Sequence, residues 1–282
     1  MSARLQTAID FCDESEALYQ VLASRMAGEG TGHGRSVFET VTDFKQWTVN
    51  DILQHLHYFN VMADLSLTAS EKFQADYAKL SALRNSGANL VQATDQLLNG
   101  LKGPDLLAAW HDYFNEMATR WADADPKTRV KWVGPDMSTR SSITARLMET
   151  WSHGQAVYDV FGLERKNADR IKNVAVIGVN TFGWTHQNRG EVVPAVMPLV
   201  ELTAPSGALW TWGEAGAGDK IEGLAEEFCM VVTQTRNIAD TALKVNGPVA
   251  THWMAHAQCF AGPAKDPPVA GTRRRRPPPE KQ

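Results

Sequence analysis

Apolar positions recur at helical spacing through most of the first 165 residues. Leu5, Ile9, Cys12, Leu18, Val21 and Leu22 mark a first amphipathic helix over about 3–26, with acidic residues on its other side. Gly28, Gly30, Gly32 and Gly34 then break the pattern, and 36–47 reads as an irregular loop laid over the end of a bundle. Thr48 and Asp51 have the spacing of a capping box, a hydroxyl at the cap with a carboxylate three residues on. Ile52, Leu56, Phe59 and Met62/Ala63 form the core stripe of the helix that follows. Residues 71–103 are moderately helical, with Leu90, Leu97 and Leu98 as apolar markers and Gly100 and Gly103 as stops. Pro104 opens the next helix at a first-turn position, where a missing N–H costs nothing, and Pro126 closes it. Its apolar face is Leu106, Trp110, Tyr113/Phe114, Met117 and Trp121. Ser138 caps a long helix over 138–162, and Gly162 is its left-handed stop. Long helices without a strand pattern predict a helical bundle.

The texture changes after Arg165. A helix over 174–183, a polar turn at 186–190 and an alternating strand over 198–204 are expected. The turn Pro205-Ser-Gly207 leads to a returning strand, Leu209–Trp212, and 220–223 reads as a short edge strand. A long helix over 224–246 and a last helix over 250–260 complete a small α+β domain. From Pro263 the chain is rich in proline and contains Arg273–Arg276, the composition of a disordered tail. The expected organisation is a bundle at 1–165, a small α+β domain at 166–262 and a tail at 263–282.

Composition narrows the partners. Of 282 residues, 43% are hydrophobic and 21% charged, ordinary for a globular protein, and the net charge of −4 gives no basic field for nucleic acid. No apolar run approaches the ~18 residues of a membrane helix. Cys12, Cys229 and Cys259 are far apart and form no CxxC, so neither a disulfide framework nor a thiolate metal site is expected. A cytoplasmic protein with a small-molecule substrate is the expectation.

The chemistry gathers on two helices. Glu149 and His153 are four apart, hence on one helical face, and can reach a single ion if a neighbouring helix adds a third ligand. His55 lies beside the core stripe of its helix and is the candidate third ligand. His57 is rotated about 200° from it and points the other way. Two imidazoles and a carboxylate suit a divalent ion, zinc first, with a coordination position left open as in catalytic sites. Arg236, placed on the expected long helix of the second domain, is the candidate for holding a substrate carboxylate, against the alternative of a solvated helix arginine. Arg146 is expected as a salt-bridge partner, and Trp210 and Trp212 as core of the small domain. His111 and His186 have no partner legible in the sequence, and His252 and His256 read as an exposed helix face.

The stretches Trp47-Thr-Val-Asn-Asp51-Ile-Leu-Gln-His55-Leu56 and Arg146-Leu-Met-Glu149-Thr-Trp-Ser-His153-Gly-Gln resemble the metal-binding helices of DinB-like four-helix bundles, more narrowly those of the mycothiol-dependent maleylpyruvate isomerase type. The resemblance implies that His55, Glu149 and His153 are the ligands, that a low-molecular-weight thiol is a cosubstrate, and that the second domain is sterol-carrier-like. Relatives often carry an Asp three residues after the last His; here that position is Ala156, and Asp159 is the nearby carboxylate that could orient a ligand instead. The reaction implied is a metal-activated thiol or water chemistry, isomerase or transferase, on a small organic acid. A non-catalytic metal-binding protein and a lipid- or acyl-binding module are the alternatives.

Overall fold

The computed structural model of the chain describes residues 5–28, 36–214, 218–275 and 277. The expected breaks at Gly30, Gly32 and Gly34 lie outside these residues, as do Arg276 and the last five positions. The chain divides into two compact units, Met1–Val157 and Tyr158–Gln282. No described helix is long and apolar enough to cross a membrane.

The first unit is built from long helices: α1 (Gln6–Gly28), α2 (Val49–Thr68), α3 (Ser70–Asn85), α4 (Leu90–Leu97), α5 (Gly103–Ala122) and α6 (Thr139–Val160), the last running across the division between units. The capping box forms as the spacing predicts. Thr48 Oγ1 accepts from the Asp51 N–H at 3.1 Å, and the Thr48 N–H donates to Asp51 Oδ2 at 2.8 Å. α1 and α2 both pack on α5, and α2 also meets α3 and α4. α2 is therefore a central helix, and its polar residues Gln54, His57, Asn60 and Asp64 are buried along with Ile52, Leu56 and Met62. Asp64 shows how that is made tolerable: it accepts from Arg120 Nη2 at 2.6 Å, Trp121 Nε1 at 2.9 Å and the Tyr113 hydroxyl at 3.1 Å. A two-stranded ribbon, β1 (Arg129–Val130) with β2 (Met137–Ser138), precedes α6. Ser138 Oγ caps α6 by accepting from the Ser141 N–H, and Gly162 ends it at φ 67°.

The second unit holds α7 (Lys172–Asn180), α8 (Phe182–Asn188), β3 (Leu199–Thr203), β4 (Leu209–Trp212), β5 (Lys220–Leu224), α9 (Ala225–Val232), β6 (Lys244–Asn246) and α10 (Pro248–His256). The sheet order is β4-β3-β5-β6, with β3 and β5 parallel and the outer pairs antiparallel. The hairpin β3–β4 is the one the alternation predicts. Three expectations are corrected. The strand at 220–223 is interior, not an edge, because β6 pairs with its far side. The long helix over 224–246 stops at Val232: the chain turns through Gln234, at φ 55°, and re-emerges as a 3-10 turn and β6. The polar turn at 186–190 is in fact the end of α8 and its cap. α7 packs so closely on α9 that a Cβ on Gly178 would lie 2.8 Å from Val232. Of the segment expected as a tail, the described part is tied to this unit by hydrogen bonds from Gln234 to Lys265 O, Asn237 to Pro268 O and Arg273 to Gln234 O.

Candidate metal centre

α2 and α6 bring His55, Glu149 and His153 to one point. His55 Nε2 and His153 Nε2 each lie 3.0 Å from the same oxygen, Glu149 Oε2. The three ligand atoms all fall within 4.8 Å of one another, a group able to hold a metal ion. Atoms bonded at ~2.0–2.2 Å to one ion sit roughly 2.9–3.5 Å apart at octahedral to tetrahedral angles, so these spacings suit joint coordination. The helical spacing of four supplies the Glu149–His153 half. The approach of α2 supplies the other.

Arg146, one turn before Glu149, helps set that approach. It is buried and donates from Nε to Asn60 Oδ1 at 3.0 Å and from Nη2 to the Leu56 carbonyl at 3.4 Å, both on α2. Burial draws its guanidinium down to about 10, while the nearby Glu149 charge acts the other way. Its bonds go to neutral groups of α2, where an ion pair was expected.

The electrostatics favour a neutral His55 and an anionic carboxylate. Burial lowers His55 to about 4, against the opposing pull of its hydrogen bond to Glu149. Burial alone would raise Glu149, but the hydrogen bonds from His153 and His55 outweigh it and hold the carboxyl well below its usual range. His55 Nδ1 is buried with no hydrogen-bond partner among the described residues. The orienting carboxylate that often backs a ligating imidazole is thus absent from that ring. Glu149 keeps 24% of its side-chain exposure, so the cluster is open to solvent on one side.

Aromatic rings wall the remainder. Trp47 stacks on His153 with an interplanar angle of 16° and centroids 5.9 Å apart, Phe44 meets the same imidazole edge-on at 4.9 Å, and Phe59 lies 4.8 Å from His55. Phe44 and Trp47 come from the segment expected to be an irregular loop. They flank a tight turn in which Lys45 and Gln46 both adopt left-handed backbone, at φ 51° and 58°, and the Trp47 N–H closes on the Phe44 carbonyl at 2.9 Å. Buried Thr42 anchors the turn, its hydroxyl donating to the Trp47 carbonyl at 2.8 Å. The sequence signal for these rings is weak, because neither Lys nor Gln advertises such a turn.

His57 is buried on the opposite side of α2, against the Tyr113 ring, as its rotation predicts. Arg236 lies beyond the end of α9 in the second unit. There it is buried and grips Asp159 bidentately, Nη1 to Oδ2 at 2.8 Å and Nη2 to Oδ1 at 2.6 Å. His111 finds Glu16 at 3.2 Å. His186 and His252, passed over in the sequence, meet at Glu191.

Comparison with known proteins gives three findings. The family model described as the mycothiol maleylpyruvate isomerase N-terminal domain matches residues 23–158, the span that holds all three clustered residues. Uncharacterized proteins of Mycobacterium tuberculosis strains H37Rv and CDC 1551 are each 33% identical over 218 residues, covering 77% of this chain and 83% of theirs. Among solved structures, a mycothiol-dependent maleylpyruvate isomerase aligns with a TM-score of 0.48 at 11% identity, covering 80% of this chain and 87% of its own. A mutant of that enzyme aligns with a TM-score of 0.49 at 10% identity over the same shares.

Proposed function

We propose, for a chain that belongs to the mycothiol maleylpyruvate isomerase N-terminal-domain family, that His55 Nε2, Glu149 Oε2 and His153 Nε2 hold one divalent ion, zinc in the first instance. In this reading the centre serves an isomerase or transferase reaction in which a low-molecular-weight thiol, of the mycothiol class, attacks a small unsaturated organic acid. The observation that carries it is the convergence of two imidazoles on one half-buried carboxylate oxygen at equal 3.0 Å distances. When bound, such an ion supplies Lewis acidity, lowering the pKa of a thiol or water placed on it.

The chain's own residues do the rest. His55 stays neutral at physiological pH because burial holds its pKa near 4, so its Nε2 can bind an ion once the ring proton shared with Glu149 moves off that nitrogen. Glu149 stays ionised and offsets the charge of the ion. Trp47, Phe44 and Phe59 fix the two rings and limit water around them. Arg146 holds the helices in register through Asn60 and Leu56. Arg236, within the second unit, remains a proposed carboxylate-binding residue on the bidentate geometry with which it already holds Asp159.

The test is zinc content after chelation and reloading, followed by titration of the loaded protein with mycothiol. His55→Ala and His153→Ala should each lose the ion from this centre and with it the thiol binding. Undiminished zinc and thiol binding in both variants would end the assignment.

A further inference from the structure

We propose that His186, Glu191 and His252, all in the second unit, form a separate divalent transition-metal site. His186 Nδ1 lies 3.0 Å and His252 Nε2 2.8 Å from the same carboxylate oxygen, Glu191 Oε2, and the three ligand atoms fall within 4.8 Å of one another. The donor set and spacings repeat those of His55, Glu149 and His153, yet the residues share no helix, motif or sequence spacing with them.

Each ligand is placed by a device of its own. α8 ends in a left-handed cap: Gly190, at φ 73°, donates to the Gln187 carbonyl, and the Glu191 N–H donates to the His186 carbonyl, both at 3.0 Å. That closure brings Glu191 back over the ring of the residue that begins the last turn. His252 comes from α10, whose start is fixed by Asp219 Oδ1 accepting from the Ala250 N–H at 3.0 Å. α8 and α10 are locked together by Phe182 against Trp253, centroids 5.0 Å apart. The two imidazoles then lie nearly parallel, 18° apart in plane with centroids at 5.2 Å.

Three donors from three rigid positions aimed at one point is what an ion requires and what a single ion pair does not. His186 is buried, and its Nε2 has no hydrogen-bond partner among the described residues, so Nδ1, facing Glu191, is the nitrogen positioned to bind. Glu191 and His252 keep 35% and 39% of their side-chain exposure, which gives an ion a path in and leaves water to complete its coordination. Two imidazoles and one carboxylate select zinc, nickel, iron or copper over magnesium or calcium. His256 packs its ring 4.5 Å from that of His252 and bonds the His252 carbonyl through Nδ1 at 2.9 Å, which steadies the outer ligand.

The experiment counts zinc in the full chain, stripped with chelator and titrated with Zn²⁺ alone in a calorimeter, with elemental analysis after desalting. Wild type should bind two equivalents. His252→Ala and Glu191→Gln should each bind one, His153→Ala one, and the double variant His153→Ala/His252→Ala none. Both second-unit substitutions fall on half-exposed side chains, and circular dichroism of the metal-free proteins checks that they fold. Zinc content equal to wild type in both His252→Ala and Glu191→Gln would overturn the site, leaving a hydrogen-bonded His–Glu–His cluster. A protein that loses zinc on His252→Ala but not on His153→Ala would keep this site and refute the other, so the two assignments fail separately.

Discussion

Glu149→Gln separates the carboxylate's role as a ligand from its role in holding the two helices together. Glu149 Oε2 lies 3.0 Å from each of the two imidazole Nε2 atoms. Hydrogen bonds to a charged acceptor contribute about 1.5–3 kcal/mol each, and burying the charge takes back several kcal/mol. Glutamine keeps the shape and an acceptor oxygen, with neutral bonds of about 0.5–1.5 kcal/mol each and no charge to bury. The gains and losses nearly cancel, so the metal-free variant should lie within about 2 kcal/mol of wild type. Zinc breaks the balance. At free zinc a hundredfold above Kd, wild type gains about 2.7 kcal/mol, a Tm increase of roughly 5–10 °C for a unit of this size. Losing the anionic ligand should weaken binding at least a hundredfold; at the same zinc concentration the gain falls to about 0.4 kcal/mol, a shift of about 1 °C. Thermal unfolding with and without zinc measures both quantities, and the His252→Ala background removes any contribution from the second cluster. An equal zinc-induced shift in Glu149→Gln and its parent would refute Glu149 as a ligand.

Asp64→Asn should destabilise the first unit by about 2–4 kcal/mol in urea, because either orientation of the amide turns its N–H against an Arg120 N–H, at the Oδ1 position together with the fully buried Trp121 N–H; a change under 1 kcal/mol would show the hub is not structural. Tyr58 is buried, and that burial, with the Asp76 charge beside it, pushes its hydroxyl up to about 12. The unfolded chain gives up this proton near pH 10, so stability is intact below pH 10 and falls by about 2–3 kcal/mol as pH rises through 12. Tyr58→Phe should flatten that decline between pH 10 and 11.5, and parallel curves for the two proteins would count against it. Gln46→Gly relieves a left-handed backbone that costs a non-glycine residue about 1–2 kcal/mol, less the ~0.4–1 kcal/mol of extra freedom glycine has when unfolded. A stabilisation of about 0.5–1 kcal/mol is expected, and a loss of stability would mean the Gln46 side chain matters more than its backbone.

Local rules made the first half of this chain legible. The Thr48–Asp51 box, Pro104 at a first turn, the Ser138 cap and the Gly162 stop act over three to five residues, so their signatures survive in a one-dimensional string. The Glu149–His153 pairing belongs with them, since it depends only on helical pitch. What lay beyond was decided by elements far apart in sequence. α2 is central, so its polar positions are buried, which periodicity alone cannot distinguish from a solvent-facing side. The stretch after Val232 has helix-forming residues, yet β5 needed a partner strand on its far side, and β6 supplies it. His186, Glu191 and His252 meet only because a helix cap and a helix packing act together across 61 residues between Glu191 and His252. Spacing in the string records what neighbours along the chain can do; convergence of distant side chains is settled by packing, and only the folded molecule contains it.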